Sequence, residues 1–210
     1  MGVHVNFAPV ADVNNNPKNP VIGTRSFGED INNVSQKSIA YMRGLESQHV
    51  MAVAKHFPGH GDTDTDSHLA LPLIRHSVSR LDSIELAPFK ALFQAGVPGV
   101  LMGHLALSAY DTDKLPASLS PRIVTRLLRE EMNFDGLCFT DAMTMKGVTQ
   151  GRRKGEADLL ALQAGNDIIL FPEDIAASFR EIKKALNEGE ISYSLIRERC
   201  RKVLVAKQKY

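Results

Sequence analysis

The sequence predicts an α/β fold built on a parallel sheet, and three observations support this prediction. Five short apolar runs rich in β-branched residues alternate with segments whose apolar residues follow helical spacing. Polar clusters follow these runs in chain order, which is typical of enzymes built as (β/α) barrels. Five strands fall short of the eight in a closed barrel, which typically takes about 250 residues. We therefore expect an incomplete portion of a TIM (β/α)8-type barrel within the 210 residues.

The predicted strands are short and are bounded by turn-forming or charged residues. Arg25 follows the first run and a histidine-rich loop follows the second, while His104 lies near the end of the third and Asp141 near the end of the fourth. Because the carboxyl ends of parallel strands meet at one edge of a sheet, we expect these side chains to lie together. The five strands are predicted over 2–13, 50–57, 97–107, 136–143 and 166–172.

Helical segments fill the intervals between the strands, as βαβ units require. Pro88 is expected to break or restart the second helix, because proline removes a backbone hydrogen bond. Ser120 is predicted to cap the third helix, with Pro121 at its first position. No linker is visible in the sequence, so we expect a single domain over 1–210. The helices are predicted over 31–48, 77–96, 120–134, 152–165, 173–188 and 192–209.

Charge and composition argue against several classes of protein. The formal net charge is +1 and no long block carries one sign, which disfavours nucleic acid or a membrane surface as the main partner. No apolar run reaches the roughly 18 residues needed to span a bilayer. Cys138 and Cys200 lack CxxC spacing, so we expect buried, inert thiols. The sequence shows no targeting signal, and cytoplasmic and periplasmic locations both stay open.

The loop "KHFPGHGDTDTDSH" (55–68) concentrates three histidines and three aspartates, and three interpretations compete for it. A metal site is disfavoured, because the sequence has no HExxH and the D-x-D-x-D run lacks the glycine and glutamate of a calcium loop. An acid/base site is suggested by Asp66, since a carboxylate two residues before His68 can hold one ring nitrogen. Taken alone, this pattern is more often part of a solvated polar loop.

The loop resembles the signature of glycoside hydrolase family 3, in its bacterial β-N-acetylhexosaminidase branch. Two further stretches resemble the same family: "NFAPVADVNNNPKNPVIGTRSFGED" its strand-three segment, and "GLCFTDAMTMKGV" its nucleophile strand. The motifs stand in the family's order and cover essentially the whole chain. The resemblance implies that 1–210 is a partial catalytic barrel domain of the N-terminal type, starting near strand three. The resemblance also implies that the family's first two strands, which supply a substrate-contacting aspartate and arginine, are missing from 1–210.

The resemblance implies a retaining double displacement. Asp141 matches the nucleophile, His68 the general acid/base, and Asp66 the residue that orients His68. The glycines of the loop are expected to let it deliver His68 to the bond, whereas His60 and Asp62 shape the loop. The resemblance also implies six substrate-binding residues, among which Asp12 would position the arginine: Lys55, His56, Arg25, Asp12, Met102 and His104.

The implied activity is exo-acting hydrolysis of terminal N-acetylglucosamine from peptidoglycan- or chitin-derived oligosaccharides, with a small carbohydrate as the only partner and no cofactor or metal. A β-glucosidase of the same family is the alternative enzyme, although the Asp-Ser-His loop disfavours it. A truncated, non-catalytic sugar-binding domain is the alternative outside enzymes, and its unpaired sheet edges would favour self-association. A metallohydrolase is the third alternative. A histidine acid/base adds no negative charge beside Asp141, so phosphate also stays open as an acceptor.

Overall fold

The structure, a computed structural model, describes residues 2–66 and 70–210. Its centre is a five-stranded parallel sheet with the order β1-β2-β4-β6-β7, so that neighbouring strands follow one another along the chain. A second parallel sheet pairs β3 with β5. The predicted α/β class and the five central strands are thus confirmed. The strands are β1 (Val5–Asn6), β2 (Met51–Phe57), β3 (Leu73–Ile74), β4 (Gly99–Met102), β5 (Ala106–Leu107), β6 (Leu137–Ala142) and β7 (Ile168–Leu170).

Helices connect the strands and pack against the sheet. The segment predicted as one helix over 77–96 forms two, and Pro88 lies in the first turn of the second, which confirms the expected restart. Short 3-10 turns cover Gly23–Arg25 and Ala117–Leu119, and a π-helix covers Arg122–Glu131. The α-helices are α1 (Ile31–Glu46), α2 (Val78–Ser83), α3 (Ala87–Gln94), α4 (Lys146–Thr149), α5 (Glu156–Ala164), α6 (Ile175–Glu188) and α7 (Tyr193–Lys209).

The first strand is much shorter than predicted. Only Val5–Asn6 forms a ladder with β2, and further along Val10 makes a single bridge to Lys55. Pro9 lies between them and has no amide hydrogen to donate, so a regular ladder is interrupted there. The chain nevertheless stays beside β2, because the amide of Ala11 donates to the Lys55 carbonyl at 2.7 Å.

Two other predictions about the elements are wrong. The run 97–107 is not one strand: β4 ends at Met102, and β5 pairs with β3 in the separate sheet. Strands of two residues are too short to show a period, which explains why β3 was missed. Ser120 does not cap the π-helix, because its hydroxyl donates to the buried carboxylate of Asp111 instead.

The two faces of the sheet have separate cores, because successive side chains of a strand point to opposite faces. Toward the helices, Ala52, Val100 and Cys138 join the large cluster that includes Phe89 of α3. Burial raises the pKa of the Cys138 thiol to about 12, in keeping with an inert cysteine. Cys200 is exposed on α7, so the expectation of burial is wrong for this cysteine.

The inner face of the sheet, the one turned away from the helix-side core, carries a smaller cluster centred on Leu101 and Phe139. Helix α7 covers one end of this face with Val203, Ala206 and Tyr210. The Tyr210 hydroxyl donates to Glu46 Oε2 at 2.5 Å, which fixes the end of α7 to the end of α1. Within residues 2–66 and 70–210, no helix combines the length and the apolar character that a membrane crossing would need.

Candidate active site

The inner face opens into a cavity of about 210 Å³ at the carboxyl ends of the strands. Four of the predicted site residues, from three separate segments of the chain, meet there. This is where a parallel α/β sheet brings its functional loops together. The four are Arg25, Lys55, His56 and Asp141, and the cavity is completed by His60, Ala142 and the apolar side chains of Phe7, Val21, Leu101, Leu170 and Phe171.

A bulge in β2 allows two consecutive residues to face the cavity. Lys55 pairs with Leu101 and Phe57 pairs with Met102, so β2 contains one residue more than its neighbour in this stretch. Regular alternation would turn His56 toward the helix side, whereas the bulge re-aims it. Both Lys55 and His56 therefore line the cavity, as the resemblance implied.

Asp12 holds His56, and His56 in turn faces Arg25. The Asp12 carboxylate lies 2.7 Å from His56 Nδ1 and also accepts the backbone amides of His56 at 3.2 Å and His60 at 2.7 Å. Because a carboxylate accepts, Nδ1 carries the hydrogen, and Nε2 is left to accept from Arg25 Nη2 at 3.3 Å. Asp12 is fully buried and does not line the cavity, and it reaches Arg25 through His56.

The surroundings of Asp12 keep it ionised. Burial by itself would raise the pKa of this carboxyl, but His56 and the amide of His60 outweigh that effect, and the pKa is lowered. A buried charge of this kind is tolerated only with several hydrogen bonds, and Asp12 accepts from three N–H groups. The imidazole of His56 is thus fixed in both orientation and tautomer.

Asp141 lies near the end of β6 and projects into the cavity. One carboxylate oxygen, Oδ1, accepts the backbone amide of Ala142 at 2.8 Å. This bond sets the plane of the carboxylate and makes Oδ2 the candidate for attack on a substrate. The position fits a nucleophile, while the assignment itself stays a prediction.

Lys55 is a half-buried cation beside Arg25. Burial lowers its pKa, and the neighbouring guanidinium of Arg25 lowers it further, while the carboxylates of Asp141 and Asp12 oppose both effects. The cavity thus contains two cations and one carboxylate within a small, partly desolvated space. Such a set can hold the hydroxyl oxygens of a sugar and orient them toward Asp141.

The first half of the histidine-rich loop is held firmly against the segment after β1. The Asn19 side chain donates to the His60 carbonyl at 2.7 Å, and the Asn16 side chain donates to Asp64 Oδ1 at the same distance. His60 lines the cavity, and burial lowers the pKa of its imidazole. The sequence presented His60 only as a loop-shaping residue, and its place in the cavity was missed.

The loop glycines have a packing role that differs from the expected mobility. A Cβ added at Gly61 would lie 1.8 Å from the Val13 carbonyl oxygen, so only glycine allows this contact. Gly59 has φ of 120°, a region that other residues rarely adopt, and a Cβ there would lie 2.8 Å from the Glu85 Cβ. These two glycines let the loop pack closely, and its mobility stays a prediction.

The predicted acid/base pair is only partly within the described residues. Asp66 is half-buried, and its carbonyl accepts the amide of Ala70 at 3.1 Å, which spans the end of the loop. His68 lies outside the described residues, so the Asp66–His68 contact stays a prediction.

Met102 and His104 do not line the cavity, contrary to prediction. Met102 is fully buried in the helix-side core, because Leu101, one position earlier, occupies the inner face. His104 is fully buried behind the end of β6. Its Nδ1 lies 2.7 Å from Ser118 Oγ and its Nε2 lies 3.1 Å from the Ala142 carbonyl oxygen.

One cluster among the described residues has the composition of a metal site. Asp62, His76 and Glu85 place candidate ligand atoms within 4.8 Å of one another, outside the cavity. Its ligand atoms are already engaged, because the Arg80 guanidinium donates to both oxygens of Glu85, at 2.6 and 2.7 Å, and His76 Nε2 lies 2.6 Å from Asp62 Oδ2. This cluster therefore ties the loop to α2. The expectation that no metal is needed stays a prediction.

The curled parallel sheet forms a half-barrel with cations, imidazoles and a carboxylate at its carboxyl edge, an arrangement of the (β/α)-barrel type. Residues 1–206 match the glycosyl hydrolase family 3 N-terminal domain, and the chain belongs to this family.

Similar proteins of known name support this assignment. Beta-hexosaminidase A of Pseudoalteromonas piscicida is 39% identical over 183 residues, which are 82% of this chain and 31% of the relative. A beta-N-acetylglucosaminidase/beta-glucosidase of Cellulomonas fimi is 31% identical over 99% of this chain and 38% of its own length. The structure of a glycoside hydrolase family 3 beta-N-acetylglucosaminidase from Paenibacillus sp. str. FPU-7 superposes with a TM-score of 0.96 at 40% identity, over 99% of this chain and 40% of that one. The chain thus spans well under half of each of these relatives.

Proposed function

We propose that the protein is a retaining exo-β-N-acetylglucosaminidase that releases terminal N-acetylglucosamine from oligosaccharides derived from peptidoglycan or chitin. One observation carries this proposal: Arg25, Lys55, His56 and Asp141 converge on one small cavity in a chain of glycosyl hydrolase family 3. The names of the relatives supply the substrate class, since hexosaminidase or N-acetylglucosaminidase appears in each of the three.

In the proposed first step, Asp141 Oδ2 attacks the anomeric carbon and a covalent bond to the sugar forms as the glycosidic C–O bond breaks. The departing oxygen takes a proton from His68, which Asp66 orients. In the second step a water attacks the same carbon, returns a proton to His68 and releases Asp141 as a carboxylate. Atoms and charges balance over the cycle without a cofactor.

The sugar contacts follow from the cavity geometry. Arg25 offers paired donors, and its orientation is set by His56 and by a bond from Nη1 to the Val21 carbonyl at 3.1 Å. Lys55 supplies a compact cation next to the carboxylate of Asp141. The small size of the cavity, about 210 Å³, favours a single terminal sugar, as an exo-acting enzyme requires.

A β-glucosidase is the second candidate, because one relative carries both activities in its name. Among the described residues that line the cavity, none is assigned to selecting the N-acetyl substituent, and the Asp-Ser-His sequence is what favours the hexosaminidase. Substrate preference therefore decides between the two.

The proposal is tested with the purified protein on p-nitrophenyl N-acetyl-β-glucosaminide and p-nitrophenyl β-glucoside. We expect the first substrate to be preferred in kcat/KM, and Asp141→Asn to lower turnover of both by roughly 10⁴-fold or more, the scale of losing a nucleophile. Asp113→Asn is the matched control, since this carboxylate is exposed and pairs only with Arg122 at the surface. Equal or reversed preference would transfer the proposal to the β-glucosidase, and a fully active Asp141→Asn would refute it.

The role of His68 needs a separate measurement. His68→Ala should slow hydrolysis of natural disaccharides far more than of p-nitrophenyl glycosides, because an activated phenolate leaves without protonation. An equal loss on both would contradict a proton-donor role. Measuring released sugar 1-phosphate in phosphate buffer determines in the same assay whether phosphate replaces water.

A further inference from the structure

His104 is a buried imidazole that the proposed chemistry does not use. It lies behind β6, fully buried, and it does not contribute to the cavity lining. Buried histidines need partners for both ring nitrogens, and this one has a hydroxyl on one side and a backbone carbonyl on the other. The carbonyl belongs to Ala142, the residue directly after the candidate nucleophile.

We propose that His104 is a positioning residue for Asp141, acting through the Ala142 backbone. The proposal rests on the proposed function, in which Asp141 is the nucleophile. The amide of Ala142 donates to Asp141 Oδ1 at 2.8 Å, while the carbonyl of the same residue is the group that His104 Nε2 reaches at 3.1 Å. His104 therefore holds the backbone that fixes the plane of the attacking carboxylate.

The hydrogen bonds assign the state of the ring. A carbonyl oxygen only accepts, so Nε2 carries the hydrogen, and Nδ1 accepts from the Ser118 hydroxyl at 2.7 Å. Burial lowers the pKa of His104, which agrees with this neutral form. A neutral ring also places no cation behind Asp141, where a fixed positive charge would hold electron density that the carboxylate must give to the sugar.

The Ala142–Met143 peptide is held from both sides, and this makes the position rigid. His104 bonds its carbonyl, while the Met143 amide donates to the Leu170 carbonyl at 2.9 Å on the neighbouring strand. The register between β6 and β7 shifts between Phe139 and Ala142, and beyond the shift the Met143 amide bonds this end of β6 to β7 while the His104 side chain binds the Ala142 carbonyl. Misplacing a reacting group by about 1 Å can cost on the order of 100-fold in rate, so loss of the His104 bond is expected to slow the chemistry.

The test compares His104→Leu, His104→Gln and Ser118→Ala in the full protein. Leucine keeps much of the volume and removes both bonds, whereas glutamine can still donate to the Ala142 carbonyl. The readouts are kcat and KM on p-nitrophenyl N-acetyl-β-glucosaminide and the rate at which a 5-fluoro N-acetylglucosaminyl fluoride labels Asp141. Ser178→Ala is the matched control for Ser118→Ala, because Ser178 is another buried hydroxyl that bonds a carboxylate (Asp158) away from the cavity.

We expect His104→Leu to lower kcat and the labelling rate by roughly tenfold to 100-fold with KM within about threefold, and His104→Gln to recover part of both losses. Ser118→Ala should show a smaller loss, and Ser178→Ala should change only the melting temperature. The inference is overturned if His104→Leu folds and labels Asp141 as fast as the unmodified protein, or, where His104→Leu does not fold, if Ser118→Ala shows no loss in labelling. If the unmodified protein itself neither labels Asp141 nor hydrolyses the substrate, the proposed function fails instead. If His104→Leu does not fold, the other two variants decide the question.

Discussion

The two ends of the inner face of the sheet differ in chemistry although the same strands build both. At the carboxyl end, Arg25, Lys55 and Asp141 place charges in a small, partly desolvated cavity. At the opposite end, Met51, Leu137 and other apolar residues form a cluster that helix α7 covers. The first end concentrates groups that are costly to bury, and the second contributes the apolar contacts that stabilise the sheet.

The comparison teaches that alternation sets which face a residue occupies, while the elements after the strands decide what that face does. Alternation fixes only the face, so an inner-facing residue can lie at either end of the sheet. The ends of β2 and β6 and the segment after β1 bring polar side chains to one end, and α7 brings Val203 and Ala206 to the other. The stable apolar end allows the carboxyl end to contain buried charges that are unfavourable for stability but useful for chemistry.

The largest effect is expected at the apolar end. Phe139→Ala should lower the free energy of unfolding by about 3–5 kcal/mol, because Phe139 is 3% exposed and packs edge to face on Phe7 with ring centroids 5.3 Å apart. Guanidinium unfolding measures this loss. Phe179→Ala is the control, since its ring is 72% exposed, and it should change stability by less than about 0.5 kcal/mol. Similar losses in the two variants would contradict a stabilising role for the inner core.

An intermediate effect is expected at Asp12, which is buried next to the cavity at the carboxyl end and holds His56. Asp12→Asn removes a charged acceptor of three N–H groups and should lower the free energy of unfolding at neutral pH by about 2–3 kcal/mol. It should also lower kcat/KM, because His56 and Arg25 lose their fixed orientation. The control is Asp113→Asn, an exposed carboxylate.

The acid dependence of stability checks the same residue. The pKa of Asp12 is lowered in the folded protein from the ordinary value of 3.8, so its contribution is present above about pH 3.8 and is lost as the pH falls through the folded-state pKa. As the pH is lowered from 4, the free energy of unfolding of Asp12→Asn should therefore decrease less than that of the unmodified protein. If the free energy of unfolding of the two proteins changed in parallel with pH, this assignment would be wrong.

The smallest effect is expected from lysine substitutions, one at each end of the inner face. Burial lowers the pKa of both Lys55 and Lys202, the second of which lies 3.7 Å from Asp167 beneath the sheet. Only Lys55 lines the cavity, so the alkaline limb of kcat/KM should lie below pH 10.5 and should disappear in Lys55→Gln, with roughly a tenfold loss in kcat/KM. Lys202→Gln should keep the limb. Loss of the limb in Lys202→Gln would show that it reports stability and not substrate binding.

Most of the candidate site could be predicted, because its residues lie in short motifs next to strand ends. Lys55, His56, Arg25 and Asp141 meet in one cavity as the resemblance implied. The errors have specific causes. Met102 was wrongly placed in the cavity, which Leu101 lines instead, because a motif match does not fix which face of the strand a side chain takes. His60 was missed because its loop folds back over the cavity.

The sequence by itself determined the α/β class, the presence of the five central strands and the family, because apolar periodicity and local motifs are encoded in neighbouring residues. Only the tertiary structure decided that Asp12 holds His56 rather than Arg25, and that His104 supports the backbone at Asp141. These contacts join residues 44 and 38 positions apart in the chain. Their geometry depends on a bulge in β2 and a register shift in β6, which arise when the strands pair and leave no local pattern.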